Sequence, residues 1–341
     1  METVTIKDIA KICGCGVSTV SRALNNHPDI NPDTKAKIME VVEQHNFIPN
    51  NSARNLKITD SRTIAVLVKG ISNPMFMKMI KVMEQGIMKK KYSLFLHHVE
   101  EHEDEVDVAL ELIKEKRLNG IIFLGGQFTH TKEKLDTLTV PFVLSTISFV
   151  EDTVCDFSSV SVDDVAESYK MVDYLCKQGH KRIAIITTPE KDMSIGKLRY
   201  TGYVKALEDN GIELDKSIRF FMDEQVDYYT MQNGYKVAKT MMESGKDFTA
   251  IFCIADTLAI GACKAFIEAG YSVPGDVSIA GFDGIDAADF YNPSITTIRQ
   301  PVKELAEETV KLLFAVIEGK SEHKHMTYPA ELIEAGSTRS I

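Results

Sequence analysis

The chain has no apolar run long enough to cross a bilayer. Its first residues, METVTIKD, lack the basic start and apolar core of a signal peptide. A cytoplasmic protein with no membrane partner is therefore expected. The 341 residues include six cysteines, and Cys13, Cys15, Cys155, Cys176, Cys253 and Cys263 sit mostly inside apolar periodic segments, which speaks against a disulfide framework. There is also no Walker loop, no Gly-x-Ser-x-Gly elbow and no His-Glu-x-x-His pair, so nothing recommends an enzyme and no cofactor is expected. Cys13 and Cys15 could suggest a metal pair, but no second Cys or His pair lies nearby to complete a tetrahedron, and helix packing accounts for them better. His97, His98 and His102, in the acidic run HHVEEHEDE, lack a closed ligand geometry and read as solvated.

What is present is an ordinary globular balance, 44% hydrophobic and 26% charged, over a length that holds two or three domains. The net charge of -10 is unevenly placed: residues 1 to 62 carry eight Lys/Arg against seven Asp/Glu, leaving 31 against 42 for the rest. An acidic body repels phosphate, which confines any contact with DNA to the first segment. That segment contains IKDIAKICGCGVSTVSRALN, from Ile6 to Asn25. Ile6, Ile9, Ala10 and Cys13 share one face of a short helix, Gly14 allows a sharp turn, and Val17, Val20 and Leu24 recur at helical spacing on a second helix. Two such helices cannot bury a core alone. Asn31 can cap a third, Pro32 suits its first turn, and Ile38, Val41, Val42 and Phe47 supply its stripe. The pattern is a helix-turn-helix, and Ser18, Thr19, Ser21, Arg22 and Asn25 form the face that would enter a major groove. Read alone, it is equally compatible with a helical hairpin that has no DNA role.

A different segment follows, IPNNSARNLKITDSR, in which Asn50 or Asn51 can cap a two-turn helix ending at Leu56, with Arg54 and Lys57 beside it. So short a helix is marginal until something docks on it. From Thr63 onward, β-rich runs (TIAVLV, YSLFLHH, GIIFLGG, PFVLSTI, RIAIIT, AIFCIA, VSIAGF) alternate with helical stretches near 75–90, 105–116, 164–178 and 197–210. This predicts doubly wound parallel α/β, in two domains because the strands exceed one open sheet.

Along nearly its whole length the chain resembles the LacI/GalR family of bacterial transcriptional regulators. The pieces that carry the resemblance are VTIKDIAKICGCGVSTVSRALN, IPNNSARNLK, IAVLVKGISNPMF, GHKRIAII, KLRYTGYVKALEDNGI, VPGDVSIAGFDGID, NPSITTIRQP and a closing GSTR. The fold implied is an all-α helix-turn-helix headpiece (1–48), a hinge helix and linker (49–62), and a periplasmic-binding-protein-like core (63–341). The core's first subdomain is placed at about 63–161 and 293–321, the second at about 162–292 and 322–341. The resemblance implies a repressor that binds double-stranded, near-palindromic operator DNA as a homodimer and responds to a small effector, a sugar or related polar ring. The absence of a C-terminal heptad helix favours a dimer, with the helix near Met75 at its contact. A phosphocarrier-protein partner, seen in some relatives, stays open.

By the same resemblance the DNA contacts are Thr5, Val17, Ser18, Thr19, Ser21, Arg22, Asn25, Asn50, Ala53, Arg54 and Leu56, with Leu56 a wedge in the minor groove. The effector contacts are Ser72, Phe76, Thr146, Arg199, Tyr229 and Asp283. Arg199 and Asp283 would grip polar groups, while Tyr229 and Phe76 form aromatic walls. The chain departs from the family at Gly16, Gly70, Thr146-Ile147 and Ala255, so neither a known operator nor a known ligand carries over. The runner-up is a sugar-binding receptor without DNA function, opposed by the head and by the lack of a signal peptide.

Overall fold

The computed structural model describes residues 4–24, 27–45, 47, 62–126, 130–147, 157–191, 194–320 and 323–341. The chain divides into two units, Met1–Ser61 and Arg62–Ile341.

In the first unit, α1 (Ile6–Cys13) opens at Thr5, whose backbone N–H and hydroxyl both donate to the Asp8 carboxylate, at 2.8 and 2.6 Å. Those two bonds hold the Asp8 carboxyl below its usual range. Gly14 ends the helix at φ 67°, a left-handed conformation that glycine adopts without strain. α2 (Val17–Leu24) follows directly. α3 (Pro32–Gln44) starts where the Asn31 side chain accepts from the N–H groups of Asp33 and Thr34, at 2.9 and 3.2 Å. The three helices bury Ile9, Ala10, Cys13, Val20, Ala23 and Ile38, with Val41, Val42 and Phe47 packed against that core. Burial pushes the Cys13 thiol up, as suits a packing residue. Val17 departs from the expected apolar stripe and is 42% exposed. It lies roughly a quarter-turn from the centre of the Val20–Ala23 face, which leaves its side chain to solvent.

The second unit begins with β1 (Thr63–Lys69), α4 (Pro74–Lys89), β2 (Ser93–Val99), α5 (Glu105–Lys116), β3 (Gly120–Leu124), α6 (Lys132–Leu135), β4 (Phe142–Ser145) and β5 (Ser158–Val162). It continues through α7 (Asp164–Lys177), β6 (Ile183–Thr187), α8 (Ile195–Asp209), β7 (Arg219–Phe221), α9 (Met231–Glu243), β8 (Ala250–Cys253), α10 (Asp256–Glu268) and β9 (Ser278–Ala280). The last elements are α11 (Asp286–Phe290), β10 (Thr297–Arg299), α12 (Val302–Ile317), β11 (His325–Tyr328) and β12 (Glu331–Ile333).

One parallel sheet runs β11-β5-β4-β3-β1-β2, and a second runs β7-β6-β8-β9. A short antiparallel pair, β10-β12, connects the two halves. Central strands such as β3, β6 and β8 are buried along their entire length, as crossover helices on both faces require. In the first half the chain goes from β1 outward to β2 and then back to β3, so the strand order reverses between β1 and β3. Met75, Met79 and Met83 of α4 are core residues here, whereas Met77 and Met88 are 55% and 63% exposed.

One boundary differs from the expected division. The segment at 323–328 was placed in the second half, yet β11 pairs in parallel with β5 of the first sheet. Only from β12 onward does the tail rejoin the second half, where the Ile279 and Arg339 N–H groups bond Ser337 O (2.8 Å) and Ser278 Oγ (3.1 Å). Residues 294–296 also lie with the second half, since the Gly281 N–H bonds Thr296 O at 2.8 Å.

Candidate functional site

The most concentrated polar arrangement in the core surrounds Arg199, on the first turns of α8. The helix begins at Ser194, whose hydroxyl accepts from the Gly196 N–H at 3.2 Å, and Gly196 is small because a Cβ would fall 2.3 Å from Thr188 Oγ1. That close approach carries the guanidinium inward, to 1% exposure. Its Nε donates to Asp164 Oδ1 at 2.8 Å, and its Nη1 donates to Ile254 O at 2.5 Å and Asp283 Oδ1 at 3.3 Å. The Phe282 ring lies under it, 3.7 Å from centroid to Cζ. Burial opposes the charge on Arg199, but Asp164 and Asp283 outweigh burial, and its pKa lies above the usual value.

Asp283 is held in an unusual backbone conformation, φ 115°, between a bond from its own N–H to Ile298 O and one from the Gln300 N–H to its carbonyl. Its carboxylate also accepts from Gln300 Nε2 at 2.9 Å and from Asn73 Nδ2 at 2.8 Å. Burial pushes its pKa up, against the pull of Arg199 and these amides. Behind it, Asp256 accepts from Thr297 Oγ1 at 2.5 Å and from the Ile285 N–H at 2.9 Å. Burial and the neighbouring Asp283 charge push the Asp256 carboxyl up to about 8, so it holds its proton at neutral pH.

Tyr229 is half-buried in a left-handed conformation (φ 57°), with its hydroxyl 3.4 Å from Ser194 Oγ and its carbonyl accepting from Thr257 Oγ1 at 2.6 Å. Ser72 reaches from the first half to donate to Tyr228 O at 3.3 Å. Arg199, Asp283, Tyr229 and Ser72 thus share one region between the halves. Phe76 does not line an open wall: it is buried in the core, with its ring 3.6 Å from a Cβ placed at Gly70. Thr146 lies just past β4, at φ 64° despite its branched side chain, and its buried hydroxyl has no hydrogen-bond partner among the described residues. Thr187, at the end of β6 in the other half, is buried in the same way. Asp164, Asn73, Gln300 and Phe282 escaped sequence reasoning. Asn73 fell inside the piece IAVLVKGISNPMF without being singled out, and the others carried no local signal.

On the headpiece, Thr5, Ser18 and Arg22 are exposed, Thr19 and Ser21 are half-buried, and Val17 faces solvent beside them. Asn25, Asn50, Ala53, Arg54 and Leu56, together with Cys155 and Met193, lie outside the described residues. His97 and His98 lie within β2, ahead of its last residue Val99, and no group of three His, Cys, Asp or Glu is placed to hold a metal among the described residues.

Residues 5–50 match the family model described as bacterial regulatory proteins, lacI family, and residues 172–338 match the periplasmic binding protein-like domain. The HTH-type transcriptional regulator MalR of Clostridium butyricum is 39% identical over 339 residues, covering 98% of this chain and 99% of the relative. This chain belongs to the LacI family. The HTH-type transcriptional repressor PurR of Pasteurella multocida is 31% identical over 94% of each chain. Among solved structures, the Lac repressor dimer bound to operator and the anti-inducer ONPF aligns at TM-score 0.76 and 23% identity, over 99% of this chain and 100% of that one. A LacI family regulator from Enterococcus faecium with bound ribose aligns at TM-score 0.71 and 28% identity, over 82% of this chain and 99% of that one. The LacI-family chain described here is therefore a DNA-binding transcriptional regulator whose headpiece is the helix-turn-helix. Its relatives are regulators rather than enzymes, and no helix among the described residues is long and apolar enough to cross a membrane.

Proposed function

We propose that this regulator represses transcription by binding a near-palindromic operator as a homodimer, and that a small polyhydroxylated effector, a sugar, sets its affinity by binding between the core's two halves. The observation that carries the effector reading is the polar chemistry gathered at the C-terminal ends of parallel strands. Asp283 is a buried acceptor, and Thr146 and Thr187 are buried hydroxyls with no hydrogen-bond partner among the described residues. Tyr229 adds an aromatic face, and a sugar, with apolar C–H faces and hydroxyl edges, suits such a mixture. Arg199 supports the site by fixing Asp283, since its own hydrogen bonds go to Asp164, Ile254 O and Asp283. The relative with bound ribose supports a sugar over a nucleobase. On the DNA side, Ser18, Thr19, Ser21 and Arg22 read the major groove, and Leu56 kinks the centre of the operator.

Two measurements test this reading. A thermal-shift screen of neutral sugars, sugar phosphates and nucleobases on the full chain should raise the unfolding midpoint with a neutral sugar, and stabilisation by nucleobases alone would replace the proposed class. Removing residues 1–60 should abolish DNA retention and leave that shift intact. DNA binding by the truncated core would overturn the headpiece assignment.

A further inference from the structure

One short stretch of the first half, from the β1–α4 turn into the start of α4, reaches the second half with three polar side chains. Ser72 donates to Tyr228 O at 3.3 Å, Asn73 Nδ2 donates to Asp283 Oδ2 at 2.8 Å, and Lys78 pairs with Asp286. Ser72 and Lys78 are exposed, while Asn73 is 6% exposed and bonded on both sides of its amide. Its Oδ1 accepts from the Met75 N–H at 3.0 Å, as the cap of α4. That bond fixes the orientation of the amide: an acceptor facing a backbone N–H leaves only the NH2 group to face the carboxylate.

The other oxygen of Asp283 accepts from Arg199 and Gln300, which lie in the second half or at its edge. Oδ2 is therefore the oxygen that the first half reaches, and Asn73 is the group that reaches it. On the reading that Asp283 accepts from the effector, an effector hydroxyl and the Asn73 amide need the same lone pairs. We infer that Asn73 is a latch: its amide stands in for an effector hydroxyl on Asp283, so effector and latch compete. Because one side chain makes both bonds, displacing Nδ2 from Asp283 also disturbs the first turn of α4. Effector chemistry in the second half is thus delivered to a helix of the first half through a single amide.

The competing account is that Asn73 is a helix cap and its bond to Asp283 is incidental. Serine caps about as well as asparagine but is too short to span to Asp283, so Asn73→Ser separates the two roles. Asn73→Asp keeps the cap and places a like charge against Asp283. Spin labels carried by non-canonical amino acids at Glu115 of α5 and Glu243 of α9, both exposed, report the separation of the halves. The full-length labelled chain is diluted with unlabelled chain so that only distances within one protomer are read. Without any added sugar, Asn73→Ser should shift the distance distribution to longer values and broaden it, and Asn73→Asp should shift it further. Thermal unfolding confirms that each variant folds. Distributions for both variants that overlay the wild type would overturn the latch. A sugar screen without a ligand would count against the effector reading and leave the distance result standing.

Discussion

Asp256 and Arg199 show how far a buried charge can be read from its surroundings. Asp256 is fully buried with a pKa pushed up from 3.8 to about 8, so the folded chain holds a proton that the unfolded chain releases. Between those values the folded state binds more protons, and this group's contribution to stability falls as pH rises from about 4 to about 8, levelling off above. The slope is at most about 1.4 kcal/mol per pH unit. Asp256→Asn removes the ionisable proton and keeps an acceptor for the Ile285 N–H, while its NH2 takes the place of the oxygen to which Thr297 Oγ1 donates, so that hydroxyl must turn to accept. Its unfolding midpoint should be near that of the wild type at pH 5 and above it at pH 9. Parallel curves across that range would show that Asp256 is ionised throughout. Arg199→Ala leaves Asp164 and Asp283 buried without their cation, a loss on the order of 3–5 kcal/mol. Chemical unfolding should show that loss, and a change below about 1 kcal/mol would mean that water or a shifted proton replaces the guanidinium. Reasoning from residue type alone would have put Arg199 on a helix surface. Only the resemblance pointed inward, and neither source revealed that Asp164 would be its nearest charged partner.

Elements were legible where the period was clean and the ends were signposted. The Asn31-Pro32 start of α3 is such a case, and Asn31→Ala should cost about 1 kcal/mol in unfolding free energy, since its side chain accepts from two otherwise unbonded N–H groups. An unchanged midpoint would mean that water caps the helix equally well. Strand β5, SSVSV, was not recognised, because burial is announced by apolar residues and this strand is buried with hydroxyls. Ser158 Oγ accepts from the Lys324 N–H at 3.1 Å and Ser159 Oγ lies 2.8 Å from His325 Nδ1, so the partner that satisfies them is β11, more than 160 residues away. Its late return also explains why residues 323–328 were assigned to the wrong half: nothing local in HMTY says which sheet it joins. Close helix pairing was equally hidden. A Cβ on Gly202 of α8 would lie 2.2 Å from Val165 O of α7. Gly202→Ala must push the two helices apart, and a loss of about 1–3 kcal/mol is expected by chemical unfolding. A stabilised variant would show that helix propensity outweighs the contact.

At the scale of the whole molecule, the acidic body and the nearly neutral head assign opposite tasks to the two units. With 31 Lys/Arg against 42 Asp/Glu beyond residue 62, the core repels DNA, so in the proposed homodimer grip on an operator depends on two heads held together. The contact that holds them is expected on the face where α4 and α11 meet, tied by the Lys78–Asp286 pair. Phe290 is 90% exposed there, on a five-residue helix, and Met77 of α4 is 55% exposed. Large apolar side chains so open to solvent are costly unless a second surface covers them, and a two-fold contact would cover both copies at once. Phe290→Asp combined with Met77→Glu should therefore convert a dimer into monomers in sedimentation velocity. Each half should keep its far-ultraviolet circular dichroism, because neither side chain contributes to the core. Operator affinity should fall with the dimer, because two linked heads bind far more tightly than one. If the double variant still sediments as a dimer, the contact lies elsewhere and the exposed Phe290 needs another partner.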